Sequence, residues 1–515
     1  MTNVTATGHS DDVFGPWLWS VKWGVTTLSY SFPEDGEPYS YRATSDVQGL
    51  DEDQKAAVRA VLAEIASFTG LDFVEIDESD GAARDGAADL RFATEPWMGG
   101  AYAYMPTSAS QGGDAFFGSA TRDPVQGNEA WLYFLHEIGH SMGLEHGHEH
   151  PEFVASGLNS QEYTVVTYTD YVGDNATFSF DSGPVDWAQS YQQLDIAAMQ
   201  FLYGANYAEE GELWSGDTVY GFDPETGEMS VNGIGQGVPA GNRIFRTIWD
   251  GHGEDTYDLS TYDSDLAIDL RPGAFSTFDP AQLADLDRFA DLDARMARGN
   301  VANARLVDDD PRGLIENALG GRGDDEIIGN AARNLLVGRA GDDTLWGDDG
   351  ADELRGGRGA DDLRGGDGND RLRGQQDNDL MVGGDGNDLL VGGAGDDVLI
   401  GDAGFDRLRG GDGADTFRFR SADDSLRGER LDRVLDFTSG EDRIDLTRLA
   451  LEPLALELDR APGAAGRDGP VIASAATREK GDNTVVMVDA DGDGMAEMRF
   501  VLVGALGVSE SDFLL

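Results

Sequence analysis

Apolar residues recur along this chain with more than one period, and the changes of period divide it. Positions 25–32 alternate apolar and polar, as a half-buried strand does, and the run stops at Pro33. Val58, Val61, Leu62, Ile65 and Ala66 share one face of a helix. Asp51 and Gln54 read as its capping box, and Gly70 is placed to stop it. Short apolar runs at 71–76, 90–93 and 101–105 read as strands. Helices are predicted at about 129–142 and 194–203, the second closed by Gly204. Residues 16–210 are therefore expected to form a mixed α/β domain. From Gly216 the texture turns to short strands and turns, and 211–319 is expected to be a β-rich entry to a repeated region. The stretch 274–316 is acidic and helix-prone.

At Gly320 the period becomes nine. Residues 320–418 form eleven successive units of the pattern G-G-x-G-x-D-x-U-x, where U is a large apolar residue. This is a recognised calcium-binding parallel β-helix repeat. Glycine opens every unit and is frequent at the second and fourth positions, where a tight turn needs φ > 0. The sixth position is aspartate in ten units: Asp325, Asp343, Asp352, Asp361, Asp370, Asp379, Asp388, Asp397, Asp406 and Asp415, with Asn334 the exception. The eighth, from Ile327 to Phe417, is always apolar and is expected to fill a narrow core while the turns present oxygen ligands outward. Calcium takes about six to eight oxygens, so stacked carboxylates and carbonyls suit it.

Charge fits that expectation. The chain carries 97 acidic and 37 basic residues, a formal net charge of −60. So acidic a protein repels nucleic acid and anionic membranes, and repels itself when compact unless cations neutralise it. It has no cysteine, which excludes disulfides, thiolate metal sites and a cysteine nucleophile. The first residues lack a basic segment followed by an apolar run, so no Sec-type signal peptide is expected. No stretch reaches the roughly 18 apolar residues of a membrane helix.

The chemistry concentrates at 136–150, HEIGHSMGLEHGHEH, which holds five of the seven histidines. His136 and His140, four apart on a helix, leave by the same face. Glu137 is placed as general base on a water at the metal. Gly143 ends the helix, so the chain can turn back and His146 can supply a third nitrogen. His148 and His150 are the rival third ligands; the spacing favours His146. Three ligands leave a position open, which marks a catalytic rather than a structural zinc site. The string H-E-x-x-H-x-x-G-x-x-H is the metzincin signature.

With this motif and the nonapeptides on one chain, the sequence resembles the serralysins, bacterial metzincins. Similarity extends to LWSVKWGVTTLSYSFP (18–33), AYAYMP (101–106), LDIAAMQFLYGAN (194–206), TIWDGHGEDTYD (247–258) and DFLL (512–515). The resemblance implies an α/β zincin (metzincin) catalytic domain followed by an all-β parallel β-roll, with 419–515 as a C-terminal β cap carrying an uncleaved secretion signal. Residues 1–15 are then a short propeptide or a disordered N-terminus. The implied activity is a secreted, extracellular zinc metalloendopeptidase with one catalytic Zn2+ and several structural Ca2+. Implied partners are protein or peptide substrates, a type I secretion exporter and a periplasmic or secreted protein inhibitor. The chain is expected to be a monomer, without nucleic acid or membrane insertion. Tyr168, in TVVTY (164–168), aligns with a tyrosine that can ligate zinc at rest and then hydrogen-bond the oxyanion. Val166 stands where the family has a methionine beneath the zinc, and this departure leaves catalytic strength open. The alternative is a secreted calcium-binding structural or adhesive protein with a degenerate protease domain; retention of Glu137 argues against it. Asp489, Asp491 and Asp493 resemble half an EF-hand loop, with Phe500 in place of the closing glutamate, and are candidate calcium ligands or an acidic hairpin turn.

Overall fold

The computed structural model of the chain describes residues 4–7, 14–34, 47–77, 88–172, 174, 181–207, 216–288, 295–421, 424, 431–449, 455–458, 474–480, 483–489, 498–505 and 507–514. By packing the chain divides into two compact units: Met1–Asp255 with Pro272–Ile315, and Thr256–Arg271 with Glu316–Leu515.

The first unit is built on a five-stranded sheet. Its strands lie in the order Asp72–Glu75, Thr27–Ser31, Leu90–Thr94, Ala115–Phe117 and Ala101–Ala103. The first four are parallel, and the edge strand Ala101–Ala103 runs antiparallel to Ala115–Phe117. The helix Glu52–Phe68 begins on the expected capping box of Asp51 and Gln54 and buries Val58, Val61, Leu62 and Ile65. It ends because Thr69 turns extended, at φ −122°, and not on Gly70. The helix Gln193–Tyr203 does end on its glycine, Gly204 at φ +82°.

Between them in sequence comes the helix Glu129–Ser141. Asn128 caps it, its side chain accepting from the Trp131 amide at 2.8 Å. Phe134, Leu135 and Ile138 are fully buried, and the Phe134 ring stacks on Phe117 of the sheet at 4.2 Å. Each such side chain stabilises the docking by about 1.5–3 kcal/mol. Tyr191 locks the same helix from the other side, its hydroxyl donating to the Leu135 carbonyl at 2.9 Å.

Two stretches depart from expectation. Among its described residues, 274–316 holds no α-helix but short strands and the 3-10 turns Pro280–Gln282 and Pro311–Gly313. The prolines are the cause: Asp279 and Asp310 cap single turns whose proline cannot extend a helix backwards. Val4–Ala6, inside the stretch expected to be a propeptide or a loose end, pair with Val21–Trp23.

The second unit holds two ladders of parallel strands. In both, a residue pairs with the one eighteen positions on, as Leu336 with Leu354 and Leu345 with Leu363. One coil is therefore two nonapeptides, with alternate units in opposite ladders. All eleven eighth-position residues, Ile327 to Phe417, are fully buried. The ladders continue beyond the repeats through Asp432–Val434 and Arg443–Asp445, and Phe513–Leu514 pairs with the latter. The candidate cation loop of Asp489, Asp491 and Asp493 falls outside the described residues, apart from the backbone of Asp489 at the end of the strand Asn483–Asp489.

Candidate active site and cation ladders

Three imidazoles converge at one point in the first unit. The Nε2 atoms of His136, His140 and His146 lie 3.0, 3.1 and 3.2 Å from one another. Tetrahedral zinc with Zn–N near 2.0–2.1 Å needs nitrogens about 3.4 Å apart, so this donor set fits the metal. Each outer nitrogen is tied down where the chain allows it. His136 Nδ1 meets the Val165 carbonyl at 2.8 Å, and His140 Nδ1 the Leu144 carbonyl at 2.6 Å. Such partners fix the ring orientation and the tautomer that leaves Nε2 free. Leu144 is in place because Gly143 takes φ +101°, which turns the chain back after Met142.

Burial keeps these rings neutral and ready as ligands: it lowers His136 well below the usual range, His140 to about 3 and His146 to about 4. His148 and His150 do not join them. His150 Nε2 pairs with Glu145 at 2.9 Å, and His148 stacks outside His146 with ring centres 4.9 Å apart. Glu137 is buried beside the histidines, and desolvation pushes its carboxyl up to about 8 when no cation is near.

Tyr168 packs between the ligands, its ring 4.8 Å from His146 and 5.6 Å from His136. Burial, then the nearby Glu137 and Glu149, raise its pKa. Val166, in place of the family's methionine, is fully buried and touches the histidine helix where Gly139 has no side chain. The floor is therefore filled by valine against glycine.

Sequence reasoning missed the group that holds this floor. Asp195 is fully buried; one carboxylate oxygen accepts from Thr164 Oγ1 at 2.6 Å, the other from the Val165 amide at 2.8 Å and the Gln192 amide at 3.0 Å. Asp195 thus holds, through its amide, the residue whose carbonyl orients His136. No local signal marks it, because its partners Thr164 and Val165 lie 31 and 30 residues away.

Two hollows flank the site. One, about 660 Å³, is lined by Ala101, Leu132, Tyr133, Trp187 and Arg288 with His136, Glu137 and Tyr168. The other, about 310 Å³, lies among Trp19, Tyr102, Met105, Glu145 and Glu149, again with Glu137 and Tyr168. The edge strand Ala101–Ala103 borders both. A larger hollow of about 1050 Å³, against Trp23, Phe201 and Tyr203, has none of the histidines in its wall.

In the second unit the sixth-position aspartates are buried, at 0–2 % exposure, rather than turned outward. The reason is a ladder. One carboxylate oxygen accepts the backbone N–H of the aspartate eighteen residues earlier, as Asp361 from Asp343 at 2.9 Å and Asp370 from Asp352 at 2.8 Å. The ladders run on past the repeats to Asp432 and Asp442, which the nine-residue count could not reach. The other oxygen is buried without a hydrogen-bond partner in Asp343, Asp352, Asp361, Asp370, Asp379, Asp388, Asp397 and Asp406.

Those orphaned oxygens explain the first glycine of their eight units. A Cβ on Gly347 would strike Asp352 Oδ2 and the Gly365 carbonyl, and on Gly365 the Asp370 carboxylate and the Gly383 carbonyl. Carboxylate and carbonyl oxygens converge on a space that only glycine leaves open, a donor set that fits a hard cation. Desolvation raises the carboxyls, to about 7 for Asp352 and about 8 for Asp388.

A mixed α/β unit with two helical histidines, a returning third and an adjacent buried glutamate is a zincin-type metal site. The chain belongs to the serralysin family of peptidases: the family described as Peptidase M10 serralysin C terminal matches residues 210–389 and 377–515. Among relatives, it is 30% identical to the serralysin of Proteus mirabilis, over 60% of this chain and 60% of that one. It is 30% identical to serralysin B of Dickeya chrysanthemi, over 64% and 62%, and 29% identical to metalloprotease AprA of Pseudomonas entomophila, over 61% and 60%. The chain thus spans about 60% of the length of the relatives it matches. Among the described residues no helix is long and apolar enough to cross a membrane.

Proposed function

We propose that this chain is a secreted zinc endopeptidase whose second unit is a calcium-dependent β-roll. The observation that carries the reading is the triangle of three Nε2 atoms at 3.0–3.2 Å with Glu137 buried beside it. Zinc bound there supplies a Lewis acid that polarises a peptide carbonyl and acidifies water.

The chain's own residues do the rest. An extended peptide adds to the outer edge of Ala101–Ala103, its backbone pairing with that strand while its side chains enter the two flanking hollows. Glu137 takes the proton from the attacking water and passes it to the leaving amine. Once a cation neutralises the pocket, a carboxyl held near 8 by desolvation alone falls back into a range suited to that exchange. Tyr168 donates its hydroxyl proton in a hydrogen bond to the developing oxyanion. Asp195 and Val165 hold His136 still throughout.

Calcium enters the second unit at Asp325, Asp343, Asp352, Asp361, Asp370, Asp379, Asp388, Asp397, Asp406 and Asp415, where it neutralises carboxylates that the fold buries. Asp512, in the DFLL stretch, accepts from Ser439 Oγ at 2.7 Å and from the Gly440 amide at 2.9 Å. A tail held this way is readable by an exporter only before the roll folds. An unfolded casein, digested in calcium and zinc, tests the proposal: cleavage should stop with o-phenanthroline and return with added zinc. Cleavage untouched by the chelator would exclude the zinc mechanism.

A further inference from the structure

The loop leaving the third histidine carries a second set of metal donors. His146, His148 and Glu149 offer ligand atoms that all lie within 4.8 Å of one another. They sit on and just before the single 3-10 turn Gly147–Glu149. His146 spends its Nε2 on the three-histidine cluster and turns Nδ1 to Glu149, 3.7 Å from Oε1. The His148 ring lies 4.9 Å from that of His146 and 4.8 Å from that of Tyr168. His150 stays with Glu145 and takes no part.

We propose that His148 and Glu149 bind a second divalent metal ion of the zinc type, with His146 Nδ1–H steadying the Glu149 carboxylate, and that this ion closes the cleft. An imidazole nitrogen with a carboxylate oxygen selects zinc, copper or nickel over calcium and magnesium. Zinc at about 2.0–2.2 Å from each donor brings them to about 3.4 Å. Glu149, whose side chain is 63 % exposed, has the freedom to swing inward that far. Two protein donors hold an ion more weakly than three histidines do, so this site fills only after the first.

Occupation has a consequence for the cleft. Glu149, His146 and Tyr168 line the 310 Å³ hollow together with Ala101, Tyr102 and Ala103 of the edge strand. An ion held by Glu149 and by His148, which packs on the Tyr168 ring from outside that hollow, fixes one wall of it and hinders a bound peptide. Zinc above one equivalent therefore inhibits. The inhibition rests on the peptidase reading; the metal count does not.

The test uses the full chain, calcium-saturated and carrying one zinc. Equilibrium dialysis against rising zinc should reveal a second equivalent, weaker than the first. His148→Asn and Glu149→Gln should each keep the first and lose the second. Copper(II) added to the one-zinc protein should show imidazole nitrogen coupling by electron paramagnetic resonance, absent in His148→Asn. Excess zinc should slow peptide turnover at least tenfold in the parent and less than twofold in His148→Asn. A parent that binds only one zinc, or a second zinc that survives His148→Asn, overturns the proposal. A one-zinc protein without turnover would refute the peptidase reading, and dialysis would still decide the second site.

Discussion

In the absence of calcium the stability of the β-roll should depend on acid, and the structure sets the sign. Nine of the sixth-position carboxyls have folded-state values raised from 3.8 to between about 6 and about 8: Asp325, Asp343, Asp352, Asp361, Asp379, Asp388, Asp397, Asp406 and Asp415. Desolvation is the first cause in each. A carboxyl raised on folding contributes stability in full below its unfolded value, near 4, and loses it as pH climbs through the folded value. Raising a carboxyl from near 4 to near 7 corresponds to about 4 kcal/mol per group. Taken at a quarter of that, since neighbouring carboxyls relieve one another as they titrate, the nine together cost about 9 kcal/mol. That is the whole stability of an ordinary domain. Calcium-free protein should therefore keep residues 325–415 folded at pH 5 and lose them between about pH 6 and 8. Hydrogen exchange read by mass spectrometry, corrected for the intrinsic pH effect, would follow these residues alone. Millimolar calcium at pH 8 should restore protection; magnesium, which gives up water reluctantly, should not. Equal protection at pH 5 and pH 8 without calcium would refute the reasoning.

Three further outcomes are expected. Gly365→Ala should place a methyl between the Asp370 carboxylate and the Gly383 carbonyl, and calorimetry should show calcium binding reduced with a loss of about 2 kcal/mol in roll stability. Gln375 sits at φ +87°, where a side chain costs about 1 kcal/mol, so Gln375→Gly should raise the roll's unfolding midpoint in denaturant. Asp195→Ala should strand the Thr164 hydroxyl and the Val165 amide; zinc should dissociate faster, turnover should fall at least tenfold, and Asp195→Asn should recover part of both.

Much of this was legible in the chain because it is written in short-range spacing. His136 and His140 at i and i+4, Gly143 at the turn and His146 beyond it fix one another within a dozen residues. The nonapeptide is equally local, so the apolar eighth position declares the core. Long-range partners were not legible. Asp195 reaches back 30 residues to Val165, and nothing in the helix pattern distinguishes it from an exposed aspartate. Asp432 and Asp442 join ladders across 26 and 27 residues, where the nine-residue count has already lapsed. The burial of the sixth-position carboxylates was missed for a related reason. Aspartate reads as a surface residue until the eighteen-residue coil supplies the backbone N–H that draws it in.

Glu137 tests the central claim most directly, because it separates holding zinc from using it. Glu137→Gln keeps the shape of the side chain and removes the base, while His136, His140 and His146 remain. Zinc content and peptide turnover should be measured on the same calcium-saturated sample of this variant and its parent. The account predicts one zinc per chain in both, with turnover in the variant reduced at least a thousandfold. Full turnover in the zinc-loaded variant would contradict it.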